Sequence, residues 1–176
     1  MLKKLYEGIQ LKFADTTKRA KIYQKMGVAM GKNCQIFGDV SFGSEPYLVR
    51  LGDNVKITYG CLFITHDGGV EVLRNLGMLE NAEVFGKITV GNNVFIGNRC
   101  IFLPNVTIGD NVVIGTGSIV TKDIPSNSIA AGVPCRVIKT LEEYYEKCKI
   151  GADYTKHMDD STKDVYLIKK YISPLT

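Results

Sequence analysis

A chain of 176 residues is long enough for one sizeable core, and its formal net charge of +4 suits an anionic small molecule as well as any polymer. Five cysteines, an odd count with no CxxC pair, exclude a disulfide framework. The N-terminus lacks the apolar core of a signal peptide and no run reaches transmembrane length, so the expectation is a reduced, soluble, cytoplasmic protein with no membrane insertion and no nucleic-acid partner.

Residues 1–29 are basic and carry Leu2, Leu5, Ile9 and Phe13 at three- and four-residue steps, which predicts an amphipathic helical segment. Lys3, Lys4, Lys12, Lys18, Arg19 and Lys21 would suit a membrane surface. Covering the end of the structure that follows is the reading preferred here.

From Met30 a different period begins. Met30, Ile36 and Phe42, then Leu51, Ile57 and Phe63, then Val90, Ile96, Phe102, Ile108, Ile114 and Val120 recur every six residues, with a three-residue shift after the first set and a long gap after the second. Four positions after the last six starts stand Val94, Cys100, Val106, Val112, Ser118 and Ile124, all compact; Cys34, Cys61 and Cys100 read as filler of that column. A period of six fits neither a helix nor a two-faced strand. It predicts a β-solenoid in which each short strand turns one side chain inward and the next repeat stacks on it. Glycines beside the large residues suit corners, where the backbone must bend with no Cβ in the way, and the pairs Asp53-Asn54, Asn92-Asn93 and Asp110-Asn111 suit the same corners by tolerating left-handed dihedrals and bonding nearby amides.

Residues 67–87 break the pattern as an excursion far longer than a corner requires, opening on His66-Asp67-Gly68-Gly69. After Pro125 the repeat decays. Thr140 and Glu143 form a capping box for a helix ending near Gly151, and a second helix is expected from about Ser161 to Ile172.

The run IGTGSIVTKDIPSNSIAAGVPCRVI resembles the left-handed parallel β-helix acyltransferases, close to the galactoside and maltose O-acetyltransferases and the capsular polysaccharide O-acetyltransferases; the resemblance covers about Met30 to Ile138. It implies an all-β solenoid, left-handed, with three strands per turn and hence about four coils, between N- and C-terminal helical segments. The expected domains are a helical segment over 1–29, the β-helix over 30–138 with its protruding loop at 67–87, and a helical cap over 139–176. The resemblance also implies a homotrimer with its active site between neighbours.

In this resemblance His66 matches the catalytic histidine. Acyl transfer from a thioester to a sugar hydroxyl needs a base that is neutral near pH 7, and an imidazole with a reference pKa near 6.5 meets that need. Thr121, Lys122, Arg136 and Lys139 match the positions that grip the phosphorylated end of coenzyme A, through charges that pair with its phosphates. Asn98 and Thr116 match positions bonding the pantetheine amides, and Phe95 stands where relatives often have Trp against the thioester. Asp67 either holds an acceptor hydroxyl or caps the loop. The acceptor side departs from the family: His66-Asp67-Gly68-Gly69 lacks the polar partner expected three residues after the histidine, and the upstream acceptor-contacting Asn has no clear counterpart.

The function expected is acetyl transfer from acetyl-CoA to a sugar hydroxyl, of a surface or capsular polysaccharide precursor. Two alternatives stand beside it: an N-acetyltransferase for a sugar-nucleotide amine or an antibiotic, and a non-catalytic solenoid scaffold. A zinc enzyme of the γ-carbonic anhydrase kind needs three histidines, and the chain has two; no metal is expected.

Overall fold

The computed structural model describes residues 10–172. Leu2, Leu5 and Ile9 of the expected N-terminal helix lie outside them. The chain divides into two units, Met1–Tyr144 and Tyr145–Thr176.

In the first unit, helix α1 (Thr16–Lys25) is started by the Asp15 side chain, which accepts from the Lys18 amide at 2.8 Å. The chain then winds through twelve short strands: β1 (Ala29–Met30), β2 (Gln35–Ile36), β3 (Val40–Ser41), β4 (Val49–Leu51), β5 (Lys56–Ile57), β6 (Cys61–Phe63), β7 (Ile88–Val90), β8 (Phe95–Ile96), β9 (Ile101–Phe102), β10 (Thr107–Ile108), β11 (Val113–Ile114) and β12 (Ile119–Val120). Every third strand pairs in parallel. Face A holds β1-β4-β7-β10, face B holds β2-β5-β8-β11, and face C holds β3-β6-β9-β12. Two later strands, β13 (Ser128–Ala131) and the antiparallel β14 (Arg136–Thr140), extend face B.

Two-residue strands alternate simply. Lys56 of β5 and Phe95 of β8 face outward while Ile57 and Ile96 beside them are fully buried. Eleven of the twelve six-residue starts are buried, from Ile36 to Val120; Met30, in the first coil, is partly buried against the core. In the compact column the thiols do more than fill. Cys34, Cys61 and Cys100 each point Sγ at a carbonyl of the next coil, 3.2 Å from Gly52, Gly97 and Gly115 respectively.

The corners obey the same repeat. On the A–B edge Asn33, Asn54, Asn93, Asn111 and Asn127 all take left-handed φ near +55° to +57°. Their amides bond up the edge: Asn33 to Asn54 at 3.2 Å, Asn93 to Asn111 at 2.9 Å, and Asn111 to Asn127 at 2.9 Å. Gly97 opens the B–C corner because a Cβ there would stand 2.6 Å from the Thr116 backbone nitrogen of the coil above.

Aromatic rings run through the interior next to face C. Phe42 stacks on Phe63 with centroids 4.9 Å apart, and Phe63 on Phe102 at 4.7 Å and 8°. Tyr23 of α1 closes the lower end edge-on to Phe42 at 4.9 Å, its hydroxyl donating to the Val40 carbonyl at 2.8 Å. Thus α1 covers the first coil by placing one amphipathic ring on the open end of the stack.

A capping box joins Thr140 and Glu143: the Thr140 amide donates to Glu143 Oε2 at 2.7 Å and the Glu143 amide to Thr140 Oγ1 at 3.1 Å, ahead of helix α3 (Leu141–Gly151). Within the second unit, helix α4 (Asp160–Tyr171) is capped by Asp159. The Asp153 carboxyl gathers Lys170, Tyr166 and Tyr171, and those hydrogen bonds, Lys170 first, hold its pKa down to about 2.

Replacing Phe63 with Ala removes the middle ring of the stack and should cost about 3–5 kcal/mol, whereas Lys56→Ala on an outward position should cost under about 0.5 kcal/mol. Denaturant unfolding of both variants checks this. Similar losses for the two would contradict an inward stack that carries stability.

Candidate functional site

The C–A edge departs from the repeat twice, and both departures meet at one histidine. In the first coil the chain leaves β3 through Gly43-Ser44-Glu45 and a 3-10 turn (Pro46–Leu48) before β4. In the second coil it leaves β6 through Ile64-Thr65-His66, makes helix α2 (Val70–Asn75), and returns through Phe85. The loop is closed at its base: His66 bridges Phe85 in antiparallel fashion, Asp67 N donates to Val84 O at 2.9 Å, and Gly86 N to Thr65 O at 2.8 Å. Stacking coil two on coil one brings Glu45 beneath Thr65 and His66.

Glu45 Oε2 accepts from Thr65 Oγ1 at 3.0 Å and lies 3.3 Å from His66 Nδ1. The Thr65 side chain is fully buried, so its hydroxyl needs this partner. The Ser44 hydroxyl first, then Thr65 and His66, hold the Glu45 carboxyl below its usual range, which keeps it an anion. The His66 ring also meets Phe85 edge-on, centroids 6.3 Å apart. Its side chain is 45% exposed, and Nε2 makes no hydrogen bond among the described residues. A carboxylate on Nδ1 orients the ring and assigns the lone pair to Nε2, at the surface.

Glu45 was not among the residues singled out from the sequence. It stands 21 positions before His66, and no local motif joins them. Asp67 instead turns back on its own loop, with Oδ1 accepting from Gly69 N at 2.9 Å, the geometry of a loop cap.

The other candidates fall in two groups. Thr121 and Lys122 follow β12 on the C–A edge, the edge of His66, two coils further on. Phe95 lies on the outer surface of face B, 43% exposed. Asn98 and Thr116 follow β8 and β11 on the B–C edge, and Arg136 and Lys139 lie on β14. Asn98 Oδ1 accepts from Tyr59 N at 3.1 Å, and its amide NH2 makes no hydrogen bond among the described residues. Arg136 Nη1 donates to the Cys135 carbonyl at 2.8 Å. The side chains of Lys122 and Lys139 make no hydrogen bond or ion pair among the described residues. One chain therefore places His66, Asp67, Thr121 and Lys122 on one edge, and the remaining five on face B and the next edge. Among the described residues no three of His, Cys, Asp and Glu gather as a metal site would require.

With this geometry in view, likeness to known proteins is specific. Residues 87–122 match the bacterial transferase hexapeptide family (six repeats). Protein CapG of Staphylococcus aureus is 46% identical over 150 residues, 84% of this chain and 86% of that protein. Galactoside O-acetyltransferase of Escherichia coli (strain K12) is 38% identical over 168 residues, 81% of this chain and 80% of that protein. A galactoside acetyltransferase solved in complex with coenzyme A superposes with a TM-score of 0.56 at 31% identity, covering 82% of each chain. Parallel three-faced winding on a six-residue repeat is the fold of a hexapeptide-repeat transferase. The chain belongs to the hexapeptide-repeat acetyltransferase family, whose fold is the left-handed β-helix, and it is an enzyme of that class.

The Glu45 contact predicts a tautomer. Neutral His66 should carry its proton on Nδ1, read from imidazole 15N shifts at pH 8, and Glu45→Ala should populate the other form. A wild-type ring protonated mainly on Nε2, or one indifferent to Glu45, would contradict the contact.

Proposed function

We propose that the protein transfers an acetyl group from acetyl-CoA to a hydroxyl of a sugar, a surface or capsular polysaccharide precursor being the acceptor, with His66 as general base. The observation that carries this reading is the His66–Glu45 pair at the mouth of the loop, which leaves Nε2 of a half-exposed ring without a hydrogen bond among the described residues. His66 Nε2 takes the hydroxyl proton as the sugar oxygen attacks the thioester carbonyl and the C–O bond forms. The tetrahedral oxyanion collapses, the C–S bond breaks, and the imidazolium returns the proton to the leaving thiolate. Glu45 supports the imidazolium without itself moving a proton.

Arg136 and Lys139 on β14, with Lys122, supply charges for the nucleotide phosphates. Thr116 and Asn98 then line the path of the pantetheine down the B–C edge, and Phe95 offers an exposed ring on the adjoining face. Since the base and most of these groups lie on different edges of one chain, we assign each site to two chains. The C–A edge of one subunit faces the B–C edge of the next, and three such contacts close a trimer. The apolar side chains of the loop, Val72, Leu76, Met78, Leu79 and Phe85, exposed in a single chain, are the surface such a neighbour would cover.

His66→Ala should lower kcat by at least roughly 10²-fold, with coenzyme A binding retained and the melting temperature within a few degrees of wild type, because the half-exposed ring fills no core space. Steady-state assay of thiol release from acetyl-CoA with a panel of sugars, beside calorimetric binding of coenzyme A, tests this. Turnover near that of wild type would place the base elsewhere.

A further inference from the structure

Below Asn98 the B–C edge opens into a cleft of about 640 Å³ that none of the roles above uses. Lys12, Arg19, Tyr59 and Arg99 line it together with Asp39, so three cations face one carboxylate. The Tyr59 ring and the Arg99 stem both lean down the edge. A Cβ on Gly38 would run into the Tyr59 ring, and one on Gly60 would stand 3.2 Å from Arg99 Cγ. Arg19 Nε is committed to the Ala14 carbonyl at 2.9 Å, which anchors the side chain. The Arg99 guanidinium and the Lys12 ammonium make no hydrogen bond or ion pair among the described residues.

Arg99 is also the outlier of the corners. At the same place in the other coils the chain uses Gly38, Gly60 and Gly117, with φ of +75°, +71° and +73°; Arg99 holds φ at +57°. Among the described residues every other positive φ belongs to Gly or Asn. A long cationic side chain in a conformation that L residues resist is not required by the winding, which glycine satisfies in three other coils.

The position of the cleft gives it a function. On the reading above, the donor descends the B–C edge from Arg136 and Lys139 through Thr116 to Asn98, so its acetyl end points toward the second coil. Arg99 is the next residue after Asn98, and Asn98 itself bonds the Tyr59 amide. His66 leaves the second coil, the coil that also contains Tyr59 and Gly60. We infer that the cleft of Lys12, Arg19 and Arg99 binds an anionic group of the acceptor, a sugar carboxylate or a glycosyl phosphate, and so selects a charged sugar over a neutral one. This rests on the acetyl-transfer reading for its orientation, though the binding itself can be measured apart from it. Guanidinium and ammonium groups suit either oxyanion, and Asp39 disfavours a second negative charge at its end of the cleft.

The test is calorimetric titration of the full chain, with and without saturating coenzyme A, using methyl α-D-glucopyranoside, its 6-carboxylate (the methyl glucuronide) and α-D-glucose 1-phosphate. At least one anionic probe should bind about tenfold or more tightly than the neutral glycoside. Preference for the glucuronide or the phosphate identifies the source of the charge. Arg99→Gly should erase the preference while keeping coenzyme A affinity, and its melting temperature should equal or exceed that of wild type, because glycine relieves the corner. Arg19→Gln with Lys12→Gln, made with Arg99 intact, should reduce the preference. Equal binding of all three probes, or a preference that survives Arg99→Gly, would overturn the inference. Failure of coenzyme A to bind would instead strike the acetyl-transfer reading, leaving the anion preference to be read from the arm without coenzyme A.

Discussion

Every feature of this molecule depends on one spacing, the separation of about 4.8 Å between hydrogen-bonded strands. Phe42, Phe63 and Phe102 stack at 4.7–4.9 Å because their strands do. The asparagine amides of the A–B edge reach one another for the same reason. At that separation a corner has room for backbone and little else. Glycine stands where the coil above would strike a Cβ, as at Gly97 beneath Thr116 and Gly109 beneath Ser126.

This regularity makes the irregularities informative. The winding asks for six residues per face and supplies a place for each; whatever exceeds that is maintained for another reason. The loop after His66 is one excess and the Glu45 turn another, and they occupy one edge in consecutive coils. Arg99 is a third, smaller in extent, at a corner that otherwise uses glycine. The solenoid thus acts as a ruler. Residues far apart in the chain become neighbours by sharing an edge, and their order along that edge is their order by coil.

The same property explains what the sequence discloses. The large column was legible because burial repeats at a fixed interval, and eleven of its twelve members are buried in the structure. Asn54, Asn93 and Asn111 were legible as corner residues because few side chains accept left-handed dihedrals. Glu45 was not legible. Its distance from His66 in sequence depends on the three-residue shift in register between coils, and only winding converts that distance into a contact. Three residues after His66, where a polar partner is expected, stands Gly69, and Asp67 caps its own loop. Arg99 was hidden differently: a lone arginine after an asparagine carries no signal until its φ and its neighbours Arg19 and Lys12 are seen together.

The central claim is that the two sets of functional residues in one chain serve two different sites. Mixing subunits tests it most directly. A His66→Ala chain and a chain with Arg136→Ala and Lys139→Ala, each assayed at low acetyl-CoA, should both be nearly inactive alone. Unfolded together at equal amounts and refolded, they should recover about a quarter of wild-type activity, the share of random interfaces that pair an intact base with an intact donor edge. Activity no greater than the average of the two parents would mean that each chain completes its own site, and would contradict the account.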